Sequence, residues 1–498
     1  MAVLIGSQSK IGARIESDQG LASASYPTTE ATADSEEVKV KTYDLVPAVS
    51  ESISDNHEWE NDESIIGKAG IVGSDRVSRE PGGSLSLKGK YDGLDVFFAC
   101  ALGGEDHSSP SWTAGTQKTE VDCAVGATGK VGTMNALDIV AGDDDKWIKF
   151  DLSGSSDTNE GQIRHITSVD ATANTVTWAD EVAQTSTDEQ GIVIAEEFTH
   201  TFEPTNNLHD QLWTDVYSDY PTGGVGTASD ILVRRFTLGV AKAVSLHVWR
   251  SVMINSLKIS GSAKSGINIE ADLAPFDRVT DSLTNSRQDG STVAGWKTNL
   301  KWSASDLFSP DTNENIMFSD LTFRIDDYST TTALTSADNY GISAFEINIA
   351  NNLKTDDHDS VSGEYRKQPV RNAPRLITGS FTLPRYTADD FIDYHANDTI
   401  LMAHFNFVGS TMTTITRAFQ VWIPSLKITG HQEQVAGPGI VNEVISWQAY
   451  IPAGQAMSFP AYGITDPNPD IQIQTTNRNP FNLFRDKNEE YRDQKEEY

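Results

Sequence analysis

Two phrases in this chain are nearly identical. INSLKISG (254–261) and IPSLKITG (423–430) agree at five of the six positions from the serine onward, 169 residues apart. A second likeness runs at a wider spacing. VSESISDN (49–56) lies 296 residues before FEINIANN (345–352). The same offset, without a gap, carries DESIIGK (62–68) onto HDSVSGE (358–364) and GGSLSLKG (82–89) onto TGSFTLPR (378–385). It pairs Ser64 with Ser360, Gly67 with Gly363, Gly83 with Gly379 and Leu87 with Leu383. The identities are few, but they fall on Gly, Ser and alternating apolar positions, the types that set turns and strand faces. Such a repeat predicts two similar folding units in one chain.

Both copies change period at the same place. After the first strand signal, Leu94, Phe97, Phe98, Ala101 and Leu102 recur at helical spacing and predict an amphipathic helix ending at Gly103. After the second, Thr387 is the expected N-cap of a helix carrying Phe391, Ile392, Tyr394 and His395 and ending at Asn397. Each unit therefore reads as strand, long loop, strand, helix and then the SLKI hairpin. The fall of the offset from 296 to 169 marks 127 extra residues in the first copy, placed at about 104–230. KWIKFDLSG, GQIRHITSVD and NTVTWADEV within them read as short strands of a small β-barrel. The expected domains are 1–103 and 231–290 for the first unit, split by the insertion 104–230, then 291–462 for the second unit. Residues 463–498 read as a tail, and the last fourteen include ten charged residues, which predicts a solvated segment.

Alternation assigns strand faces. In GINIEADL, Ile267, Ile269, Ala271 and Leu273 share one face, and Asn268, Glu270 and Asp272 share the other. In EVISWQAYI, Ile445, Trp447, Ala449 and Ile451 share a face. That pattern predicts antiparallel sheets with one buried and one wet side. The two loops 54–82 and 350–378 have the same length, 29 residues, and no strand periodicity. Loops longer than about 12–15 residues are usually functional, and a matched length is hard to explain if they only close the chain.

Charge and motifs narrow the chemistry. The net charge of −33 excludes a basic phosphate-binding patch as the means of holding nucleic acid. The two cysteines, Cys100 and Cys123, form no disulfide framework or zinc spacing. No apolar window reaches the length of a membrane span, and the reading is a soluble protein of a reducing cytoplasm. GSAKSG (261–266) has phosphate-loop glycines but Ile267 where the lysine belongs. Asp143, Asp144 and Asp145 lack the alternate ligands of a calcium loop and read as a solvated turn. No HExxH pair and no G-x-S-x-G elbow is present. The expectation is no enzyme, no metal and no cofactor.

The order of short motifs resembles that of the major tail tube proteins of long-tailed, siphovirus-type bacteriophages. The residues that carry the resemblance are GARIES (12–17), GGSLSLKGKYDGL (82–94), HTF (200–202), INSLKIS (254–260) and GINIEADL (266–273) in the first half. In the second half they are AFEINIANN (344–352), ITGSFTL (377–383) and IPSLKIT (423–429). The resemblance implies a mainly β fold: two tandem tail-tube-type β-sandwich units, each with a flanking helix, plus the small inserted barrel. It implies a structural virion protein stacked as rings into the tail tube, the conduit for DNA ejection. With two units per chain the rings would be homotrimers of pseudo-sixfold symmetry.

The implied partners are further copies of the chain, the tape measure, tail terminator and distal tail proteins, and double-stranded DNA in transit, with no membrane. The implied place is the virion tail, assembled in the host cytoplasm. A negative lumen would repel DNA and let it slide. Its expected lining is Asn268, Glu270, Asp272 and Glu443. The expected inter-ring contacts lie in the long loops, at Glu58, Trp59, Glu60, Gly67 and Arg76, and at Asp356, Asp357, Gly363 and Arg366. Two other readings are a carbohydrate-binding or carbohydrate-cleaving protein of the tail tip, and a capsid decoration or baseplate protein.

Overall fold

The computed structural model describes residues 10–15, 43–62, 73–102, 118–120, 123–125, 131–134, 139–144, 146–150, 163–178, 192–195, 197–202, 236–242, 245–275, 277–280, 285–286, 292–293, 307–308, 314–328, 333–355, 370–385, 389–412, 415–433, 441–451 and 470–478. The fold is mainly β. The chain begins with β1 (Lys10–Ile15), β2 (Tyr43–Leu45), β3 (Ala48–Glu51), β4 (Ser54–Asp62), β5 (Gly73–Lys88) and helix α1 (Asp95–Leu102). Seven short strands follow: β6 (Lys118–Glu120), β7 (Cys123–Val125), β8 (Val131–Met134), β9 (Trp147–Phe150), β10 (Ile163–Asp170), β11 (Thr175–Trp178) and β12 (Ile192–Ala195). Next come β13 (Phe198–Phe202), β14 (Phe236–Lys242), β15 (Ser245–Ser262), β16 (Asn268–Ala274) and β17 (Asp277–Thr280), then the two-residue β18 (Asn285–Ser286), β19 (Thr292–Val293) and β20 (Leu307–Phe308). The remainder is β21 (Leu321–Asp327), β22 (Ala344–Ala350), β23 (Leu353–Lys354), β24 (Val370–Arg371), β25 (Leu376–Leu383), helix α2 (Asp390–Ala396), β26 (Leu401–Thr411), β27 (Thr416–Glu433), β28 (Glu443–Ala449) and β29 (Gln472–Asn477).

Pairing follows the same plan in both halves. In the first, β3 pairs with β5, β5 with β16, β16 with β15, β15 with β14 and β17, and β14 with β1. In the second, β22 pairs with β25, β25 with β28, β28 with β27, β27 with β26 and β29, and β26 with β21. β15 and β27 are each 18 residues long and each serve two sets of partners, one along each half of the strand. β15 shifts register between Ile254 and Ser256, where it passes from one set to the other. Such an irregularity bends a strand.

The halves are joined edge to edge. β15 pairs with β22 through seven residue pairs, Ser256–Ala350 to Ser262–Ala344. One continuous sheet results, in the order β3, β5, β16, β15, β22, β25, β28, β27. A single hydrophobic cluster runs beneath it through both halves, from Leu85 and Ile269 to Ile347, Phe381 and Trp447. In the second half, rings of that sheet meet rings of β21 and β26. Phe323 lies 5.0 Å from Phe381 and Phe345 lies 5.3 Å from Phe405. The alternation read in 266–273 is observed, with Ile267, Ile269, Ala271 and Leu273 all buried. In the second strand Ile445, Trp447 and Ala449 are buried, but Ile451 is 53% exposed because it lies beyond the end of β28.

Two glycines at matching places are fixed by close approach. Gly83 has φ +150°, and a Cβ there would lie 2.6 Å from the Ile53 Cα. A Cβ on Gly379 would run into the Glu346 carbonyl and the Trp447 indole. Both positions therefore need the missing side chain.

Several features differ from the sequence expectation. The 54–82 segment is not a structureless loop: β4 and β5 pair from Ser54–Gly82 to Asp62–Gly73 as an antiparallel arm. Its counterpart starts as the short β23–β24 ladder, Leu353–Arg371 and Lys354–Val370. Residues 63–72 and 356–369 lie outside the described residues. The seven strands β6–β12 form their own antiparallel sheet in the order β6-β12-β9-β10-β11-β8-β7. β13, expected in the insertion, and β29, expected in the solvated tail, instead belong to the main sheet. β29 lies between β13 and β27. Their buried residues, Phe198, Phe202 and Ile473, explain why. Helix α1 is buried on every side rather than amphipathic. Helix α2 ends at Asn397 as expected, but its N-cap residue is Asp389, and Thr387 lies outside the described residues. Asp143 is buried, not solvated. Its carboxylate accepts from the Val140 N–H at 2.9 Å and from the Lys146 Nζ at 3.1 Å.

Candidate functional surface

The wet face of the continuous sheet is the surface the fold builds most regularly. Directly paired residues on neighbouring strands point the same way. One row crosses Ser86, Glu270, Lys258, Asn348, Thr378 and Gln448, and ends on the outermost strand at Lys427. The next row includes Lys88, Asn268, Ser260, Glu346, Ser380 and Ser446. Hydroxyls and amides fill most of the places between the charges. Lys258 Nζ lies 2.9 Å from Glu346 Oε2 across the joint between halves. The hydrogen bond to Glu346 raises the Lys258 pKa. Asn255 donates to Asp272 at 2.7 Å, and Lys427 lies 2.6 Å from Asp398.

Of the four residues expected to line a channel, Asn268, Glu270 and Asp272 are exposed on this face. Glu443 is not: it is 0% exposed. Glu443 shares its side of β28 with Ile445 and Trp447, so two-residue counting along EVISW would have placed it inward. Ser446 and Gln448 take the outward places on that strand.

The arm is held at its base by a charged cluster. Asp55, with its side chain 4% exposed, accepts from Arg79 Nε at 2.7 Å and Arg79 Nη2 at 2.6 Å, with Arg278 Nη2 at 3.4 Å. Burial alone would raise its pKa, but Arg79, Arg278 and His57 together hold it below the usual carboxylate value. Further out, Glu58, Trp59, Glu60 and Arg76 are exposed as expected of contact residues, Trp59 by 57%. Gly67, Asp356, Asp357, Gly363 and Arg366 lie outside the described residues.

Among the described residues the two ends of the sheet have no further strand: β3 pairs only with β5, and residues 427–433 of β27 pair only with β28. The internal joint shows what a closed edge looks like here. Asn351, 2% exposed, donates to the carbonyls of Ala101 and Ile254, both at 2.9 Å.

A buried polar cluster beside α1 gave no sequence signal, because its members are hundreds of residues apart. Asp95 accepts from Thr475 Oγ1 at 2.6 Å and Asn477 Nδ2 at 3.0 Å. Asp92 accepts from the Arg478 N–H at 3.1 Å and lies 3.8 Å from Arg417 Nε. Burial raises the Asp95 pKa, against the opposing pull of His200 and the two hydrogen bonds. Among the described residues no group of three or more His, Cys, Asp or Glu is placed to hold a metal ion, and no helix is long and apolar enough to cross a membrane.

The comparison with known families supplies the class. Residues 6–449 match the family model of the phage tail tube protein. The chain belongs to that family, and so is a structural component of a phage tail. No curated protein matches it.

Proposed function

We propose that this chain polymerises into the tail tube of a siphovirus-type phage as stacked homotrimeric rings of pseudo-sixfold symmetry, through which DNA leaves the virion. The observation that carries the reading is the internal joint. β15, the last strand of the first half's sheet, pairs with β22, the first strand of the second half's. The open strands β27 and β3 hold the same two positions in the repeated order. One rotation that carries the first half onto the second brings β27 of one copy against β3 of the next. Repeating it closes a heterologous ring without edges. Each chain is then two fused β-sandwich units, with β6–β12 of the insertion as an outer appendage of barrel type and with β13 and β29 belonging to the main sheet rather than to the insertion and the tail.

In this arrangement the wet face of the sheet, with Asn268, Glu270 and Asp272, lines the conduit. The arms reach successive rings through Glu58, Trp59, Glu60 and Arg76, and through Gly67, Asp356, Asp357, Gly363 and Arg366 in the rest of the two loops. The tape measure, terminator and distal tail proteins are the further partners, met during assembly in the host cytoplasm. Two-dimensional class averages and native mass spectrometry of purified rings test the stoichiometry. Three chains with six similar lobes are expected, and a stable ring of six chains would overturn the two-unit reading.

A further inference from the structure

We infer that the conduit face is electrically balanced and hydroxyl-lined, so that it passes double-stranded DNA by neither attraction nor repulsion. The inference rests on the proposal that this face is the lumen, and it replaces the expectation of a negative lumen. Register places Lys88, Lys258 and Lys427 on the same face as Glu270, Asp272 and Glu346. Three cations thus stand against three anions. Adding Asp398, which holds Lys427, leaves a single net negative charge per chain. The chain as a whole carries −33. Among the described residues, then, this face is close to neutral although the chain is strongly acidic.

The charges are also interleaved. Lys258 sits opposite Glu270 and bonds Glu346, so opposite signs alternate across three adjacent strands. Between them stand Ser86, Ser260, Asn348, Thr378, Ser380 and Ser446.

The physical consequence follows from how channels treat charge. A narrow passage lined by one sign focuses the field along its axis. A positive lining exchanges with the counterions of DNA and holds it. A uniformly negative lining raises a barrier to its entry. Alternating charges a few ångströms apart cancel within about one Debye length, ~8–10 Å at physiological salt. Hydroxyls and amides then keep the wall wetted without a fixed binding site. The partner this surface fits is a hydrated polyanion that keeps its own counterions.

Ion selectivity reads this directly. Single tubes assembled from the purified full-length protein and sealed across an insulating membrane would be measured under a potassium chloride gradient. The native tube is expected to pass potassium and chloride about equally. Lys88→Gln with Lys258→Gln should make it prefer cations, and Glu270→Gln with Asp272→Asn should make it prefer anions. A native tube that strongly prefers cations, with both variants shifting that preference, overturns the balance while leaving the face in the lumen. Selectivity indifferent to both double variants removes the face from the lumen, and the proposal with it. If one double variant fails to assemble, the native tube and the other variant decide.

Discussion

Helices α1 and α2 occupy the same place in the repeated order, yet their surroundings are opposite. All eight residues of α1 are buried, whereas only Phe391 of α2 is. Each follows the matching strand, β5 or β25; α2 leads directly to β26, while β6–β13 stand between α1 and the matching β14. The difference comes from what lies over them. Phe98 of α1 stacks on Phe419 of β27 at 5.3 Å and meets Phe202 of β13 at 6.1 Å. The cover is thus built by the other half and by a strand with no counterpart among the described residues of the second half. A helix enclosed this way has to be apolar wherever a polar group finds no partner, as VFFACAL is after the hydrogen-bonded Asp95, while DFIDYHA keeps two aspartates and a histidine for its open sides. Position in the repeat sets where a helix goes, and its cover sets what the sequence must be.

The sharpest test of this contrast places a charge in each helix. Ala99 in α1 is 0% exposed and Ala396 in α2 is exposed. Ala99→Lys should destabilise by about 3–5 kcal/mol or abolish folding, the cost of an unpaired buried charge. Ala396→Lys should stay within about 0.5 kcal/mol of the parent. Equal losses in denaturant titrations would mean that the two helices are covered alike.

Asn477→Ala tests the cover itself. It removes a donor from the buried Asp95 carboxylate and from the Tyr91 carbonyl. A loss of about 1–3 kcal/mol is expected. A change near zero would show that β29 is held by its ladder alone.

The smallest effect is a pH dependence. The Asp95 pKa is raised in the folded protein, so the folded state keeps a proton that the unfolded state has released. The group's contribution to stability therefore falls as pH climbs from the ordinary aspartate value to the raised one. Asp95→Asn has no such titration. Thermal midpoints recorded across that window should show the variant gaining on the parent as pH rises, then a constant difference above it. A constant difference throughout would mean that Asp95 is not shifted.

Much of the framework was legible in the sequence, for identifiable reasons. Alternation at 266–273 showed the buried and wet faces because each strand has one dry side. Gly83 and Gly379 marked matching close approaches. The β4–β5 arm was not legible, since SDNHEWEND has the composition of a loop. It becomes a strand because its partner strand and the Asp55–Arg79 pair hold it extended. β13 and β29 were missed because they are short and their pairing is with each other and β27, far along the chain. The wet face was half read: its acids were visible as a pattern. The lysines opposite them became neighbours only when register was known.

The Thr199–Thr476 contact between β13 and β29 closes over 277 residues, and the Thr475–Asp95 bond over 380. Proteins are synthesised from the N-terminus, and long-range pairings form late. Helix α1 leaves the ribosome long before the strand whose Thr475 and Asn477 bond to Asp95 at its start exists. A chain cut short before residue 470 lacks β29, whose Thr475 and Asn477 side chains hold Asp95 at the start of that helix. Closure over the start of α1 therefore reports that the chain has been made at least as far as β29.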